Sequence, residues 1–329
     1  MNKKTRNNST TAKKFLGIVP LLVFAALLLS WVSSCENRTN NQENKTASAS
    51  SVHKEKKSDI KLALVPLIDC LPIYYAHDSG LFDTLRLSVS LTTFNSQIDC
   101  DTAITGGNYD LAYTDLIRAN LLGKGKKASV TPIVSTDGRW GVVSFEALRI
   151  KKPSQLMDRM VVVSRLSQAD ALVSLMLKKN GLPEDQVLRP QVNDLFLRSS
   201  MLDEGQIDAC VLPEPQLTAA ISRGHKLVWN FDDENLHLGA IVKIMGRKKG
   251  KSVAADKIKT FLKAYNIAVD SINKGGKAVC SKTLQKTYKL TPEALAELKL
   301  PKFHHADAPR NKDAEFARSF IRSRGATKF

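Results

Sequence analysis

From residue 60 to residue 245 short apolar runs alternate with segments whose apolar residues recur at helical spacing, and that rhythm leaves few folds open. Apolar, β-type runs fall at residues 60–65, 87–94, 109–113, 130–135 and 141–145. A second set follows at 160–163, 187–192, 207–212, 226–229 and 238–245. Between them lie helical patterns: one opening at Pro72 and stopping at Gly80, one closing at Gly106-Gly107, and one running to about Leu122. Others lie near Pro153 and at 168–180, 194–204 and 216–223. Strand alternating with helix predicts parallel sheets covered by helices on both sides, an α/β fold. The chain then becomes helical to its end. Ile258, Phe261, Leu262, Tyr265, Ala268 and Ile272 recur at a spacing that predicts one buried helical face.

An internal echo divides the alternation in two. Gly107-Asn108-Tyr109-Asp110 and Gly205-Gln206-Ile207-Asp208 place Gly-x-x-Asp at the same junction, where a helix stops and a strand begins. Two modules of one design predict two lobes of similar architecture. Asp110 and Asp208 read as residues of turn geometry rather than of a site.

The N-terminal segment stands apart. Lys3, Lys4, Arg6, Lys13 and Lys14 precede a long apolar run, which ends at Val32-Ser33-Ser34-Cys35. That order resembles a bacterial lipobox, in which small residues precede a cysteine that is lipidated. Residues 1–34 are therefore expected to be a lipoprotein signal peptide with Cys35 as the lipidation site. Residues 35–58, polar and almost free of large apolar side chains, are expected to be a flexible tether. The rest would work in the cell envelope, on the periplasmic or extracytoplasmic side, held to the membrane through its lipid anchor. The leader holds five positive and no acidic residues, so about +12 of the formal +17 belongs to the remainder. No arginine-rich stripe interleaved with aromatics accompanies that charge, and no nucleic acid partner is expected.

The remaining cysteines, Cys70, Cys100, Cys210 and Cys280, are scattered, with no C-x-x-C pair and no zinc-type spacing. No metal and no cofactor is expected. His304-His305 reads as an exposed loop pair without partners. Cys70 and Cys100 fall beyond the ends of adjacent strands, within reach of a disulfide, and Cys210 reads as a small buried residue.

Several stretches carry a family resemblance. Pro72-Ile73-Tyr74-Tyr75-Ala76-His77-Asp78-Ser79-Gly80-Leu81-Phe82 resembles the first-helix motif of extracytoplasmic solute-binding proteins for nitrate, taurine, alkanesulfonate and thiamine-pyrimidine ABC transporters. Gly107-x-x-Asp110 with Thr114-Asp115 and Lys151-Lys152-Pro153-Ser154-Gln155-Leu156 are similar to the segments that follow in that family. The most specific stretch runs from Gly205 through Leu212-Pro213-Glu214-Pro215, and Lys263-Ala264-Tyr265-Asn266 with Ile272-Asn273 completes the series. The resemblance covers residue 60 to the C-terminus. It implies a type II periplasmic binding protein: two βα lobes joined by two crossing strands, a cleft between them, and a helical C-terminal tail. Lobe 1 would comprise residues 59–148 with 235–329, and lobe 2 residues 149–234.

Ligands of open α/β lobes bind beyond the carboxyl ends of the strands. The candidates in lobe 1 are Asp69, Cys70 and Leu71, then Ser96 and Gln97, then Thr114 and Asp115, with Arg139 and Trp140 ahead of a later strand. Lobe 2 offers Ser164, Arg165, Ser167 and Glu214. Arg139 and Arg165 suit an anionic, sulfonate-like ligand; Trp140 and the carboxylates suit a planar, pyrimidine-like one. Thr114 suits an N-cap equally well. The resemblance implies a non-enzymatic monomer that binds a small molecule and delivers it to an ABC permease and its ATPase. Two other readings share the fold: a binding module reporting to a membrane sensor, and an enzyme such as a menaquinone-pathway lyase or a pyrimidine synthase. No G-x-S-x-G and no His–Cys pair at nucleophile spacing supports the last.

Overall fold

Each half of the fold is built on three parallel strands, and each takes in one antiparallel strand from a later or earlier part of the chain. The computed structural model describes residues 58–124, 128–245 and 252–325. The expected signal peptide, lipidation site and nearly all of the tether lie outside these residues. Among the described residues, no helix is long and apolar enough to cross a membrane.

The first half runs β1 (Ile60–Leu64), α1 (Leu71–Asp78), α2 (Leu81–Thr84), β2 (Val89–Thr93), α3 (Gln97–Gly106), β3 (Leu111–Asp115), α4 (Leu116–Lys124) and β4 (Ser129–Ser135). The second runs β5 (Trp140–Ser144), β6 (Arg159–Val162), α5 (Gln168–Lys179), β7 (Val187–Leu188), α6 (Leu195–Asp203), β8 (Ala209–Pro213), α7 (Gln216–Ser222) and β9 (Lys226–Asn230). Then β10 (Gly239–Met245) leads into α8 (Ala255–Tyr288), α9 (Pro292–Glu297) and α10 (Asn311–Ser323).

The sheet orders are β2-β1-β3-β10-β4 and β7-β6-β8-β5-β9. In the first, β10 is antiparallel to β3; in the second, β5 is antiparallel to β8. The sheets are thus mixed rather than wholly parallel, because the two crossing strands enter against the run of their neighbours. The chain passes from the first sheet to the second between Ser135 and Trp140 and returns between Asn230 and Gly239. The first passage comes earlier than the 148/149 division read from sequence. Apolar periodicity marks β5 as a strand but carries no record of which sheet it joins.

The Gly-x-x-Asp echo has a physical basis. Gly107 (φ 71°) and Gly205 (φ 66°) both take the left-handed conformation that lets a helix stop at a glycine. Asp110 then accepts a hydrogen bond from the Lys61 N–H (2.8 Å), and Asp208 accepts one from the Met160 N–H (2.8 Å). The carboxylate ties the start of β3 to the second residue of β1 in one half, and the start of β8 to the second residue of β6 in the other.

The 187–192 run narrows to Val187–Leu188, because Pro190 has no N–H to continue the ladder. Only an isolated bridge of Val163 with Gln191 extends the pairing. In α8, Phe261, Ala264, Tyr265, Ala268, Val269 and Ile272 are buried, while Ile258 and Leu262 pack half-buried at the edge. The helix breaks at Gly276 (φ 59°, ψ −149°), and Cys280, Leu284 and Tyr288 continue the buried face beyond it. Phe82 stacks on Phe261 with ring centroids 5.7 Å apart, fixing α2 against the tail.

Candidate functional site

The carboxyl ends of both sets of strands meet at the line between the sheets, and side chains from both sides close it. Asp115 ends β3. Its Oδ1 accepts from the N–H groups of Ile117 and Arg118 (2.9 Å each), capping α4. Its Oδ2 reaches across to accept from the Gln168 N–H (3.2 Å) at the first residue of α5. A carboxylate of the first half therefore sits at a helix N-terminus of the second, where partial positive charge gathers. Burial raises the Asp115 carboxyl to about 6 against the lowering effect of Arg118.

Arg118 forms a second crossing. Its guanidinium donates to Asp101 (2.7 Å) within its own half, and to Ser164 Oγ (2.9 Å) and the Arg165 carbonyl (3.2 Å) of the other. Further crossings use backbone. Ile68 N–H donates to the Glu214 carbonyl (2.9 Å), and Ser96 bridges Asp194 in antiparallel fashion. Ser96 and Asp194 are the N-caps of α3 and α6, equivalent helices of the two halves, so the caps face each other.

Two small cavities lie along this line among the described residues. One of about 30 Å³ is lined by residues that include Gln97, Asp115, Ser164, Gln168, Asn193 and Arg198. A second of about 20 Å³ lies against Asp69, Gly138, Phe231, Asp232 and Gly239. Trp140 and Gln168 border both, and Gln168 Nε2 donates to the Tyr113 hydroxyl (3.0 Å). Volumes of this size hold a few waters and no drug-sized molecule.

Asp69 is the buried acid of the second cavity. Its Oδ1 accepts from Tyr113 Oη (3.1 Å) and Thr136 Oγ1 (2.8 Å), while Oδ2 has no hydrogen-bond partner. Desolvation outweighs those two donors and raises the carboxyl to about 6. Both crossings press on it. A Cβ at Gly138 would lie 2.4 Å from Asp69 Oδ2, and one at Gly239 would lie 2.4 Å from Oδ1. Glycine is required there by close approach, not by φ.

Arg198 on α6 is 1 % exposed and bonds only backbone carbonyls: Val192 through Nε (3.2 Å) and Nη2 (2.7 Å), and Val211 through Nη1 (2.7 Å). Burial pulls its guanidinium down to about 10. A guanidinium has five N–H donors, so about two lack a protein acceptor among the described residues.

Of the residues singled out from sequence, Gln97, Asp115, Trp140, Ser164 and Ser167 border the first cavity, and Asp69 and Trp140 the second. The others border neither. Cys70 and Leu71 are buried at the start of α1. Ser96 caps α3. Thr114, within β3 rather than after it, donates to Asp101 (3.1 Å). Arg139 is held by Asp232 (Nε to Oδ2, 3.0 Å) and the Lys299 carbonyl (2.9 Å), and Asp232 raises its basicity further. Arg165 is exposed. Glu214 turns its carboxylate to Thr218, accepting from its N–H (3.1 Å) and hydroxyl (2.9 Å); burial raises its carboxyl.

Cys70, Cys100, Cys210 and Cys280 are free and buried, so the Cys70–Cys100 pairing is not made. Cys100 instead donates its thiol to the Tyr113 carbonyl (3.3 Å). His304 and His305 do have partners: Asp137 Oδ1 (2.8 Å) and Asp270 Oδ1 (2.7 Å).

Sequence reasoning passed over Gln168, Asn193 and Arg198. For the first two a signal existed: Gln168 follows the Ser167 cap, and Asn193 precedes the Asp194 cap as Asn95 precedes Ser96. Arg198 carried none, since a charged residue on a short helix reads as solvent-facing.

This architecture agrees with comparison to known proteins. The family described as "NMT1/THI5 like" matches residues 68–274, well over half of the chain. The chain belongs to the NMT1/THI5-like family. No curated protein sequence matches it. Among solved structures, the alkanesulfonate-binding protein SsuA from Xanthomonas axonopodis pv. citri, bound to MOPS, superposes with a TM-score of 0.68 at 15% identity, covering 82% of this chain and 93% of that one. The periplasmic aliphatic sulphonate binding protein SsuA from Escherichia coli gives 0.65 at 16% identity, over 80% and 87%. The periplasmic nitrate-binding protein NrtA from Synechocystis PCC 6803 gives 0.61 at 13% identity, over 76% and 73%. At such identities the likeness is one of fold, and the fold is that of a type II periplasmic binding protein.

Proposed function

We propose that this chain is a lipid-anchored solute-binding protein that captures one small polar molecule between its lobes and delivers it to an ABC-type permease. The observation that carries this reading is the pair of cavities at the strand ends, bordered by both halves, with the under-satisfied Arg198 guanidinium on one wall. Entry requires the lobes to part about the crossings at residues 136–139 and 231–238, since the closed gap admits little more than water.

The solute class that fits is a compact anion or a planar polar ring. Arg198 supplies the unspent cationic donors, Trp140 a flat wall, and Gln97, Gln168 and Asn193 amides that can both donate and accept. Arg139 and Arg165 drop out as anchors, the first bound to Asp232 and the second exposed. Asp115 now occupies the N-terminus of α5, a seat that an incoming anion would compete for. Binding rather than catalysis is the reading we favour, supported by Asp115 spending both oxygens on N–H donors and by burial holding the Cys70 and Cys100 thiols protonated. The lipobox-like leader motivates the anchor and the extracytoplasmic location.

Thermal unfolding against a panel of nitrate, alkanesulfonates, taurine and pyrimidines tests the proposal. One class should raise the melting temperature in a saturable, one-to-one manner. If no small solute stabilises the protein, the capture role is lost.

A further inference from the structure

Away from the cavities, three side chains from three distant segments converge on one point at the hinge. Asp137 lies in the first crossing, between β4 and β5; His237 lies in the second, just before β10; His304 lies in the stretch between α9 and α10. One ligand-type atom from each falls within 4.8 Å of the others. His237 Nδ1 is 3.1 Å from Asp137 Oδ1, and His304 Nδ1 is 2.8 Å from the same oxygen. Tetrahedral coordination at ~2.0–2.1 Å puts neighbouring ligand atoms roughly 3.3 Å apart, so these separations need open by only a few tenths of an ångström.

We propose that Asp137, His237 and His304 form a binding site for a divalent transition metal of the zinc class, which pins both hinge crossings to the C-terminal tail. This goes beyond the solute-capture reading and does not depend on it. The donor set selects the metal. Two imidazoles and one carboxylate suit Zn²⁺ and other first-row divalent ions such as Fe²⁺, Co²⁺ and Ni²⁺, whereas Ca²⁺ and Mg²⁺ need cages of oxygen. Three protein ligands leave a fourth position for water.

The surroundings are those of a supported site. Asp137 is 4 % exposed in its side chain, and its second oxygen accepts the His304 backbone N–H (2.7 Å), which fixes the carboxylate plane. The His237 backbone N–H donates to Asp313 Oδ1 (3.2 Å), and Asp313 is itself fully buried and paired with Arg310. His304, with 64 % of its side chain exposed, leaves a path for the ion. Both Nδ1 atoms face one carboxylate oxygen; with each ring's proton carried on Nε2, both Nδ1 lone pairs are free for the metal. Spacing in the sequence hides the site, because its ligands are contributed by segments about 100 and 67 residues apart.

The test uses chelator-stripped protein and Zn²⁺ or Co²⁺ alone. Calorimetry should give one Zn²⁺ per chain, Co²⁺ should develop the visible absorption of tetrahedral coordination, and Zn²⁺ should raise the melting temperature. His304→Ala and His237→Ala should each weaken Zn²⁺ binding by about 10- to 100-fold or more and abolish the Co²⁺ colour. His305→Ala, next door but paired with Asp270, should leave both unchanged. His304 is exposed, so its variant keeps the fold, checked by its metal-free melting temperature. Zn²⁺ binding of equal strength in wild type, His237→Ala and His304→Ala would overturn the proposal, as would no binding by the wild type at micromolar metal.

Discussion

Asp69→Asn offers a sharp test of how the hinge is built. Asp69 is fully buried between the two crossings, with Oδ1 bonded to Tyr113 and Thr136 and Oδ2 bonded to nothing. Burial raises its carboxyl from 3.8 to about 6. A raised carboxyl favours the folded state most at low pH, where it is protonated in both states; the benefit is lost as pH climbs from the unfolded value through the folded one. The shift is worth about 3 kcal/mol in total, of which about 2 kcal/mol falls between pH 4.5 and 7.5. Asparagine keeps an acceptor for Tyr113 and Thr136 and carries no charge, but places an N–H₂ group where Oδ2 had no partner, at a cost of about 1–3 kcal/mol. That cost does not vary with pH. Urea unfolding of both proteins from pH 4.5 to 7.5 should therefore show the variant gaining about 2 kcal/mol on the wild type across the range. A difference that stays constant with pH would refute the buried, titrating Asp69.

Other consequences are open to measurement. Gly239→Ala puts a methyl 2.3 Å from Thr136 Oγ1 and 2.8 Å from Tyr113 Oη, and should destabilise by about 1–3 kcal/mol in urea unfolding. Arg118→Gln removes charged donors to Ser164 and Arg165, each worth about 1.5–3 kcal/mol, and should enlarge the radius of gyration in solution scattering as lobes part. Once an anionic solute is found, Asp115→Asn should tighten its binding by about tenfold or more, since Asp115 lines the same cavity and at ~5 Å and an effective dielectric of ~20 it removes roughly 3 kcal/mol of repulsion. A neutral solute's affinity should not move with that substitution. Cys70 and Cys100, buried and held protonated, should react with a thiol reagent only at the rate of unfolding.

Much of this fold is written locally. Glycines that stop helices, the Gly-x-x-Asp junctions and the apolar runs of β1, β8 and β10 each depend on neighbours in sequence, and so the strand–helix order is legible. What stayed hidden depends on partners far along the chain. β5 reads as a strand, but its place beside β8 and β9 is a matter of long-range pairing. Arg139 looks like a free cation until Asp232 arrives from the other crossing. Thr114 and Asp115 looked to lie beyond a strand end, yet β3 runs two residues further, as its pairing with β10 sets its length. Arg198 sits inside because two backbone carbonyls, Val192 and Val211, receive its guanidinium. Neither of those is visible as a pattern.

The most direct measurement of the central claim is mass spectrometry of the purified chain under native conditions, followed by the same sample unfolded. Capture between the lobes predicts a mass excess of one small molecule per chain that is released on unfolding, and that after its removal can be restored by the same compound but not by an unrelated solute. A chain that carries no such molecule, and that takes up none from a panel of small anions and pyrimidines, would contradict it.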